Sequence, residues 1–402
     1  MASSDARVET LTLGCRLNFA ESEAMRTLAP AGSLVVNSCA VTNEAVRQTR
    51  QAIRRAWREA PGRPIIVTGC AAELDPGAFA AMPEVARVIG NADKYRRDAF
   101  SSENKVVRGD VMAAGVPPVA AGFLSRVRSF VAVQTGCDHR CTFCSIWQAR
   151  GASRSLAYEA VRDAVARELD AGAREIVLTG VDVTDYAGGL GTLCQRLLRD
   201  LPALARLRLS SLDSVELDGA LLELVDGEPR LMPHLHLSLQ AGDDLVLKRM
   251  RRRHSRAQAV ATVERLKRRR DVTIGADLIA GFPTESEEAA ANTRALIDDC
   301  DIVAAHVFPY SARPGTAAAR MPQVEAATVK ARAAALRAAA AGRRASWLAG
   351  LVGTSQTVLV ENGERGHSDG FAPVRIAGAR RGDCGPTRIE AVDGDQLIGV
   401  FE

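Results

Sequence analysis

Apolar runs and helical stretches alternate along the first hundred residues. The runs at 8–13, 33–36 and 64–67 have the length and apolar character of strands, and helical periodicity follows at 18–28 and 43–58. Strands separated by helices at this spacing predict a parallel sheet with right-handed crossover connections. The N-terminal region is therefore predicted to be an α/β domain.

Each of these three predicted strands leads into a cysteine: Cys15, Cys39 and Cys70. The carboxyl ends of parallel strands lie along one edge of a sheet, where ligands collect. One small cysteine buried at a strand end is common in protein cores. Three such cysteines after three strands instead favour a shared site, so we expect these thiols to converge although they are far apart in sequence.

Six more strand-like runs follow, most of them separated by helical stretches such as 157–171 and 257–270. The runs are 129–134, 175–179, 207–211, 234–239, 272–279 and 303–310. Six βα units in series predict a partial (βα)6 barrel, shorter than the usual eight units, with its active face at the C-terminal ends of the strands.

The pattern changes again after Pro314. An Ala- and Arg-rich helical stretch occupies 323–349, and short β-type runs separated by Gly and Asp begin at 353, which predicts a small antiparallel barrel. A polar stretch from Ser101 that contains Gly and Pro is typical of a linker. We therefore expect three domains, at 1–105, 123–349 and 350–402.

Composition adds limits to this picture. The 402 residues are 47% hydrophobic and 25% charged, which excludes disorder as the dominant state. The net charge is only +4, but residues 248–270 hold eleven basic residues and one acidic residue. Such a segment is either a phosphate-binding surface or a solvated helix face. The last forty residues, which form most of the predicted C-terminal barrel, contain five Arg against seven Asp and Glu, which is unusual for a module that binds RNA.

The chain has no apolar run of the roughly 18 residues that a membrane span needs, and its start lacks the features of a signal peptide. We therefore expect a cytoplasmic protein. Thiols stay reduced there, so the nine cysteines are more plausibly metal ligands, nucleophiles or core residues than disulfide partners. Cys194, Cys300 and Cys384 have no partner at ligand spacing and are interpreted as core or surface thiols.

The most specific motif is QTGCDHRCTFC at 134–144, directly after the first predicted barrel strand. Its thiols, Cys137, Cys141 and Cys144, can surround one soft metal centre. Zinc is the competing metal, but a structural zinc site usually takes a fourth ligand from a second pair, and no second cysteine pair follows. Three ligands around a four-iron cluster leave one iron open for a substrate or cofactor.

This triplet resembles the signature of the radical S-adenosylmethionine superfamily. Together with LGCRLN at 13–18, VNSCAVT at 36–42, TGC at 68–70 and ARG at 149–151, it makes nearly the whole chain resemble the methylthiotransferase family. That family has an N-terminal cluster domain, a radical barrel and a C-terminal β-barrel called TRAM. The motifs LGCRLN, HLHLSLQ at 234–240 and HVFPYSARPGT at 306–316 most resemble the branch that modifies threonylcarbamoyladenosine in tRNA.

The resemblance implies two 4Fe-4S clusters, one held by Cys137, Cys141 and Cys144 and one by Cys15, Cys39 and Cys70. It also implies S-adenosylmethionine, both as radical source and as methyl donor. The implied activity is methylthiolation of carbon 2 of threonylcarbamoyladenosine at position 37. The implied partners are a tRNA anticodon stem-loop, an electron donor such as flavodoxin or ferredoxin, and a sulfur source.

Further candidates for cofactor binding lie at the ends of the predicted barrel strands, and each also has a structural explanation, such as a turn glycine or a buried core side chain. They are Phe143, Gly180, Asp182, Ser211, Gln240, Asp277, Gly281, Phe308 and Tyr310.

Two departures from the family pattern concern substrate binding. Trp147 and Gln148 stand where a proline and an aromatic residue usually precede Ala-Arg-Gly, and the segment between Cys15 and Cys39 is short. Three other functions stay open: methylthiolation of isopentenyladenosine in tRNA, methylthiolation of a ribosomal-protein aspartate, and a non-catalytic iron-sulfur RNA-binding role.

Overall fold

The computed structural model describes residues 7–121 and 127–402. The expected start of the second domain at residue 123 and the first six residues of the chain lie outside this described part. In the described residues, no helix is both long enough and apolar enough to cross a membrane.

A parallel sheet forms the N-terminal domain, with its strands in sequence order. The strands are β1 (Glu9–Thr12), β2 (Leu34–Ser38), β3 (Ile65–Gly69), β4 (Arg87–Ile89) and β5 (Val106–Val107). The helices are α1 (Arg16–Arg26), α2 (Asn43–Glu59), α3 (Cys70–Leu74), α4 (Pro76–Ala80) and α5 (Arg97–Ser101). β4 and β5 are too short for the sequence pattern to predict, and β5 lies just beyond the expected domain boundary at residue 105.

Helices cover both faces of this sheet, which is why β2 and β3 are buried along their whole length. Alternate side chains of a strand point to opposite faces. Val36 and Val67 therefore pack with Ile53 of α2, whereas Val35 and Ile66 pack with Phe100 on the other face. Because both faces are buried, only the edge at the carboxyl ends of the strands is left to form a site.

A second set of parallel strands forms the partial barrel. Its strands are β6 (Arg128–Ala132), β9 (Glu175–Thr179), β10 (Leu207–Leu209), β11 (Ser211–Leu212), β12 (His234–Gln240), β13 (Thr273–Ala280) and β14 (Ile302–Pro309). The third predicted strand is interrupted at Ser210, so that β10 pairs with β9 while β11 pairs with β12. A short antiparallel pair, β7 (Gln134–Thr135) and β8 (Arg154–Ser155), lies between β6 and β9.

The barrel helices follow the strands. They are α6 (Ile146–Arg150), α7 (Tyr158–Asp170), α8 (Leu190–Asp200), α9 (Gly219–Gly227), α10 (Asp244–Met250), α11 (Arg256–Lys267), α12 (Glu287–Asp299) and α13 (Ala326–Gly350), with 3-10 turns at Val183–Asp185 and Ala318–Arg320. Side chains of Asp and Ser cap several helices, and Ser255 and Gln258 form a reciprocal capping box at the start of α11.

A closed barrel of short strands ends the chain. The strands are β15 (Ser355–Asn362), β16 (Arg365–Ser368), β17 (Pro373–Ile376), β18 (Cys384–Asp393) and β19 (Gln396–Phe401), in the order β15-β16-β17-β19-β18. β16 has the sequence RGHS, which lacks the apolar alternation of the other strands, and the sequence does not predict it. The predicted α/β fold class, with its partial barrel and small C-terminal barrel, is confirmed.

The N-terminal domain contacts both outer strands of the open barrel. Leu17 and Ala20 of α1 pack against Ala132 of β6. At the other side, the backbone N–H of Asn43 donates to Ser311 Oγ (3.2 Å), just after β14. The domain therefore covers the gap between the first and last barrel strands.

The C-terminal barrel docks at the opposite end, where the barrel strands begin. Glu175 accepts hydrogen bonds from Arg128, Arg206 and Arg208. The ring of Phe371 lies 4.7 Å from the guanidinium carbon of Arg208. Burial opposes ionisation of Glu175, but the surrounding arginines outweigh it and hold its pKa well below the usual value.

Candidate active site

All six motif cysteines line one cavity of about 530 Å³ at the carboxyl ends of the strands of both domains. Cys15 precedes α1, Cys39 follows β2, and Cys70 begins α3 directly after β3. The turn into Cys70 requires glycine, because Gly69 has φ +92° and a Cβ there would lie 2.5 Å from the Ser38 carbonyl oxygen. The predicted convergence of three strand-end thiols is present in the structure.

The loop that carries Cys137, Cys141 and Cys144 is fixed by its backbone. The N–H of Cys137 donates to the Gly151 carbonyl (3.1 Å), and the N–H of Cys144 donates to the Cys141 carbonyl (3.1 Å). Thr142 also holds the loop, since its hydroxyl donates to the Arg249 carbonyl (2.8 Å). The thiols are therefore presented by a preformed loop rather than by flexible chain.

The electrostatic surroundings of these three thiols differ. Burial raises the pKa of the Cys144 thiol to about 11 and raises that of Cys137 further. Burial also acts on Cys141, but a hydrogen bond with His139 and the charge of Arg252 outweigh it and lower the pKa of that thiol. Because a thiolate is the metal-binding form, deprotonation costs less at Cys141 than at Cys137 or Cys144.

The spacing of the thiols fits a cluster better than a single ion. In the described residues, the groups of three His, Cys, Asp or Glu whose ligand atoms lie within 4.8 Å of one another contain one cysteine at most. Sulfur ligands of one tetrahedral zinc would lie about 4 Å apart. In neither motif set do all three sulfur atoms lie within 4.8 Å of one another, which fits a polynuclear iron-sulfur centre better than one zinc ion.

Buried charges hold the Cys15, Cys39 and Cys70 set. Arg150, at the end of α6 in the barrel domain, donates to Cys70 Sγ (3.2 Å) and to Asn18 Oδ1 (2.9 Å). It also pairs with Glu21, which in turn pairs with Lys94 (2.7 Å). An arginine of one domain therefore contacts a thiol of the other, and no sequence pattern predicts this contact.

The remaining side-chain candidates line the same cavity, but Gly281 does not. Lining positions include Phe143, Gly180, Asp182, Ser211, Gln240, Asp277, Phe308 and Tyr310. Gly281 has φ +73°, and a Cβ there would lie 2.6 Å from Val329 of α13. This glycine is therefore required by the turn after β13 and by the packing of α13, and its expected contact with a ribose or adenine stays a prediction.

Four polar features in and around the cavity were not predicted. Gln134 accepts hydrogen bonds from the backbone N–H groups of Val181 (3.0 Å) and Asp182 (2.9 Å), which fixes the turn after β9. Arg252 donates to Asp213 (2.7 Å). Arg16 lines the cavity, yet its side chain has no hydrogen bond or ion pair within the described residues.

The fourth feature is a polar group on β12, β13 and β14. The carboxylate of Asp277 contacts His236 Nε2 (3.0 Å) and His306 Nδ1 (3.2 Å). Burial raises the pKa of this carboxyl, but the two imidazoles outweigh that effect and hold it well below its usual value. The alternating His-Leu-His at the start of β12 could have indicated His236, because alternate residues of a strand share one face.

The basic segment 248–270 is partly neutralised by acids from other segments. Six of its eleven basic residues form ion pairs: Arg252 with Asp213, Arg253 with Glu216, Arg256 with Asp299, Arg265 and Arg269 with Asp226, and Lys267 with Asp301. These pairs reduce the charge that the segment can offer to phosphates, and both interpretations of the segment stay predictions.

The unusual Trp147 has a structural role in the triplet loop. The guanidinium of Arg140, which has φ +53°, stacks 4.0 Å from the Trp147 ring centroid. This cation–π contact stabilises the loop between Cys137 and Cys141. The departure from the family pattern therefore supports the cysteine loop and removes none of its ligands.

Comparison with known proteins agrees with these features. Residues 131–297 match the Radical SAM superfamily and residues 7–90 match Uncharacterized protein family UPF0004. The threonylcarbamoyladenosine tRNA methylthiotransferase MtaB of Rickettsia prowazekii is 41% identical over 387 residues, which cover 93% of this chain and 92% of that protein. The tRNA-2-methylthio-N(6)-dimethylallyladenosine synthase of Cereibacter sphaeroides is 31% identical and covers 96% of this chain and 97% of its own length.

A solved structure supports the fold. The radical S-adenosylmethionine methyltransferase TsrM from Kitasatospora setae, with a tryptophan substrate and a cofactor analogue bound, aligns with a TM-score of 0.54 at 14% identity. The alignment covers 73% of this chain and 66% of that one. With relatives similar along almost their entire length and both cysteine sets in one cavity, the chain belongs to the radical S-adenosylmethionine methylthiotransferase family.

Proposed function

We propose that this protein converts N6-threonylcarbamoyladenosine at position 37 of tRNA to its 2-methylthio derivative. The observation that carries the proposal is the single cavity lined by two sets of three thiols. In support, a relative of that named activity is 41% identical along 93% of the chain. One shared site with two metal-binding sets suits a reaction that both activates a carbon and delivers sulfur to it.

The cysteines have separate proposed roles. Cys137, Cys141 and Cys144 would hold the 4Fe-4S cluster that binds S-adenosylmethionine, and Cys15, Cys39 and Cys70 would hold a second 4Fe-4S cluster. When bound, these groups supply the radical chemistry, the sulfur and the methyl group, which no side chain can provide. The protein has to hold, orient and enclose them.

Several side chains would orient the cofactor. Gln134 fixes the turn at Gly180 and Asp182 through two backbone N–H groups, and Asp182 contacts His139 (3.1 Å). Further proposed cofactor contacts are Phe143, Ser211, Gln240, Asp277, Phe308 and Tyr310, all on the cavity wall. A preorganised wall of this kind lowers the entropic cost of placing the reacting atoms.

The N-terminal domain would exclude water by covering the gap in the barrel. The Asn43 side chain donates to the Ala312 carbonyl (3.1 Å), and the apolar contact of α1 with β6 covers the other side. Enclosure protects a radical from side reactions with solvent.

The cavity wall favours a polar nucleoside substituent. His236 and His306 lie on either side of the proposed cofactor contact Asp277, and these two imidazoles are the groups offered to the substituent. A dimethylallyl group has no hydrogen-bonding atom, so binding it there would desolvate these groups without compensation. The threonylcarbamoyl group has a carboxylate, a hydroxyl and a urea, which can replace their water. This wall supports the threonylcarbamoyl branch over the isopentenyl one.

For the tRNA anticodon stem-loop, helix α2 is the proposed contact surface. It begins beside the cavity at Thr42, and its exposed face carries Arg54, Arg55, Arg58 and Trp57, which is 41% exposed. Arginines neutralise phosphates and an exposed indole can stack on a base. An electron donor such as flavodoxin or ferredoxin and a separate sulfur source complete the proposed partners.

Nucleoside mass spectrometry of tRNA from a deletion strain tests the substrate. We expect the 2-methylthio derivative of threonylcarbamoyladenosine to disappear and to return with the wild-type gene but not with a Cys39→Ala gene. If isopentenyladenosine loses its methylthio group instead, the proposal is wrong. Unchanged tRNA with a changed ribosomal-protein aspartate would favour the third branch.

Anaerobic reconstitution separates an enzyme from a non-catalytic binding protein. About eight irons per chain and reductive cleavage of S-adenosylmethionine are expected. A chain that binds iron and tRNA but cleaves no S-adenosylmethionine would be an iron-sulfur RNA-binding protein.

A further inference from the structure

Among the residues that the structure describes, one arginine of the cavity has no partner for its charge. Of the arginines that line the cavity, Arg150 pairs with Glu21 and Arg252 pairs with Asp213. The side chain of Arg16 has no such partner among the residues that the structure describes. Proteins rarely bury a charge without a counter-charge, because the lost hydration is not replaced. An unpaired guanidinium in a cavity therefore points to an anionic ligand.

The surroundings of Arg16 make this imbalance larger. Arg128 and Arg208, which do not line the cavity, add like charge from the end where the barrel strands begin. Glu175 lies at that same end and is already shared by Arg128, Arg206 and Arg208. The acid groups that line the cavity are also engaged: Asp277 contacts two histidines, Asp213 pairs with Arg252, and Asp182 contacts His139. No carboxylate of the described cavity wall is left to neutralise Arg16.

We propose that the guanidinium of Arg16 binds the carboxylate of the threonylcarbamoyl substituent on the target adenosine. This inference rests on the proposed function and names the residue that recognises its substrate. A guanidinium can donate two parallel hydrogen bonds to one carboxylate, which gives both strength and direction. Because Arg16 follows Cys15 directly, the same turn would position the substrate and the sulfur-delivering site.

The methionine carboxylate of S-adenosylmethionine has the same chemistry and could also bind Arg16. The two sources are distinguished by cleavage of S-adenosylmethionine in the absence of RNA. If Arg16 serves the nucleoside, an Arg16→Gln enzyme should cleave S-adenosylmethionine at the wild-type rate. Loss of that cleavage with retained iron would assign the residue to the cofactor and overturn the proposal.

The main experiment uses reconstituted Arg16→Gln enzyme and an anticodon stem-loop that carries threonylcarbamoyladenosine. We expect kcat/KM for methylthiolation to fall about 100-fold, the size expected for loss of a charge-assisted bidentate contact. Arg16→Lys should recover part of this loss because it keeps the charge. Arg26→Gln is the matched control, since Arg26 is an exposed arginine at the other end of α1.

A change in the substrate provides an independent test on the wild-type enzyme. Methyl esterification of the threonylcarbamoyl carboxylate removes its charge and leaves the rest of the nucleoside unchanged. Wild-type enzyme should prefer the acid over the ester by about 100-fold, and Arg16→Gln should treat them alike, because each change removes the same interaction. Equal use of both substrates by wild-type enzyme would overturn the proposal even if the variant failed to fold.

Binding and stability provide readouts that a structural role would not reproduce. Arg16→Gln removes an unpaired cation, so its melting temperature should equal or exceed that of wild type, while its preference for the modified over the unmodified stem-loop in filter binding should vanish. Absence of any methylthiolation by wild-type enzyme would refute the proposed function itself. A working wild-type enzyme with an unaffected Arg16→Gln variant would refute only this inference.

Discussion

The two cysteine sets share a cavity but are built in different ways. Cys137, Cys141 and Cys144 lie within eight residues of one loop, whose own backbone hydrogen bonds fix it. Cys15, Cys39 and Cys70 come from the ends of three strands and are tied to the barrel by Arg150. The first set therefore depends on local structure, whereas the second depends on correct docking of two domains.

Replacing single ligands gives the largest expected difference between the two sets. Cys141→Ala should abolish cleavage of S-adenosylmethionine, because the cofactor cannot be bound and reduced without its cluster. Cys39→Ala should leave that cleavage intact and stop methylthiolation. Product analysis by liquid chromatography and mass spectrometry measures both reactions, with Cys384→Ala as the control. Equal loss of cleavage in Cys141→Ala and Cys39→Ala would show that the sets do not act separately.

Removing the contact between the domains should affect only the second set. Arg150→Met takes a guanidinium away from Cys70 and Glu21, and breaking a buried ion pair costs about 3 kcal/mol. Iron content after reconstitution should fall from about eight to about four per chain, with cleavage of S-adenosylmethionine retained.

The matched change for this test is Arg162→Met, an exposed arginine of α7. It should keep all the iron and the wild-type melting temperature. If Arg150→Met also binds about eight irons, the arginine does not hold the second site.

Acid should weaken the set of Cys15, Cys39 and Cys70 before the set of Cys137, Cys141 and Cys144, because it protonates Glu21. Burial raises the pKa of this carboxyl, but Arg150 and Lys94 outweigh it and lower the pKa to about 2 from 4.5. A lowered pKa in the folded state stabilises the protein above pH 4.5, and that contribution is lost as the pH falls towards 2. It amounts to about 3 kcal/mol.

Urea unfolding of the metal-free protein between pH 3 and pH 6 measures this contribution. Glu21→Gln should reduce the dependence of the unfolding free energy on pH in that range. Glu44→Gln changes an exposed carboxylate on α2 and should leave the dependence nearly unchanged. If the unfolding free energies of wild type and Glu21→Gln change with pH in the same way, Glu21 does not supply this contribution.

The smallest expected effect concerns RNA binding outside the cavity. Arg55→Gln and Arg58→Gln on α2 should each weaken binding of the tRNA stem-loop a few-fold and reduce the salt dependence by about one unit of slope. Arg265→Gln, in the partly neutralised segment, should do neither, because Arg265 already pairs with Asp226 (2.8 Å). Filter binding between 50 and 200 mM salt measures the affinity and its salt dependence. A larger effect of Arg265→Gln would favour the segment 248–270 as an RNA-binding surface.

Local pattern was enough to predict the strands that carry the cysteines and the loop that carries the triplet. Contacts across domains could not be predicted, since Arg150 and Cys70 are 80 residues apart and nothing in either local pattern indicates the other. The ion pairs of 248–270 could not be predicted for the same reason: Asp213, Asp226 and Asp301, which pair with several of its basic residues, lie on other segments. The packing of Gly281 against α13 could not be predicted either, because a turn glycine and a ligand-facing glycine have the same sequence signature.

The position of the C-terminal barrel changes how truncations should be interpreted. It docks where the barrel strands begin, and the cavity lies where they end. These ends are separated by the eight residues of β13, about 26 Å of extended chain. Removing the C-terminal barrel would expose Glu175 and its three arginines and uncover His234, which lies 4.9 Å from the ring of Phe371. Loss of activity in a shortened protein would therefore be explained as well by exposure of the end where the barrel strands begin as by loss of an RNA contact. Single substitutions on the outer face of the small barrel separate these two effects better.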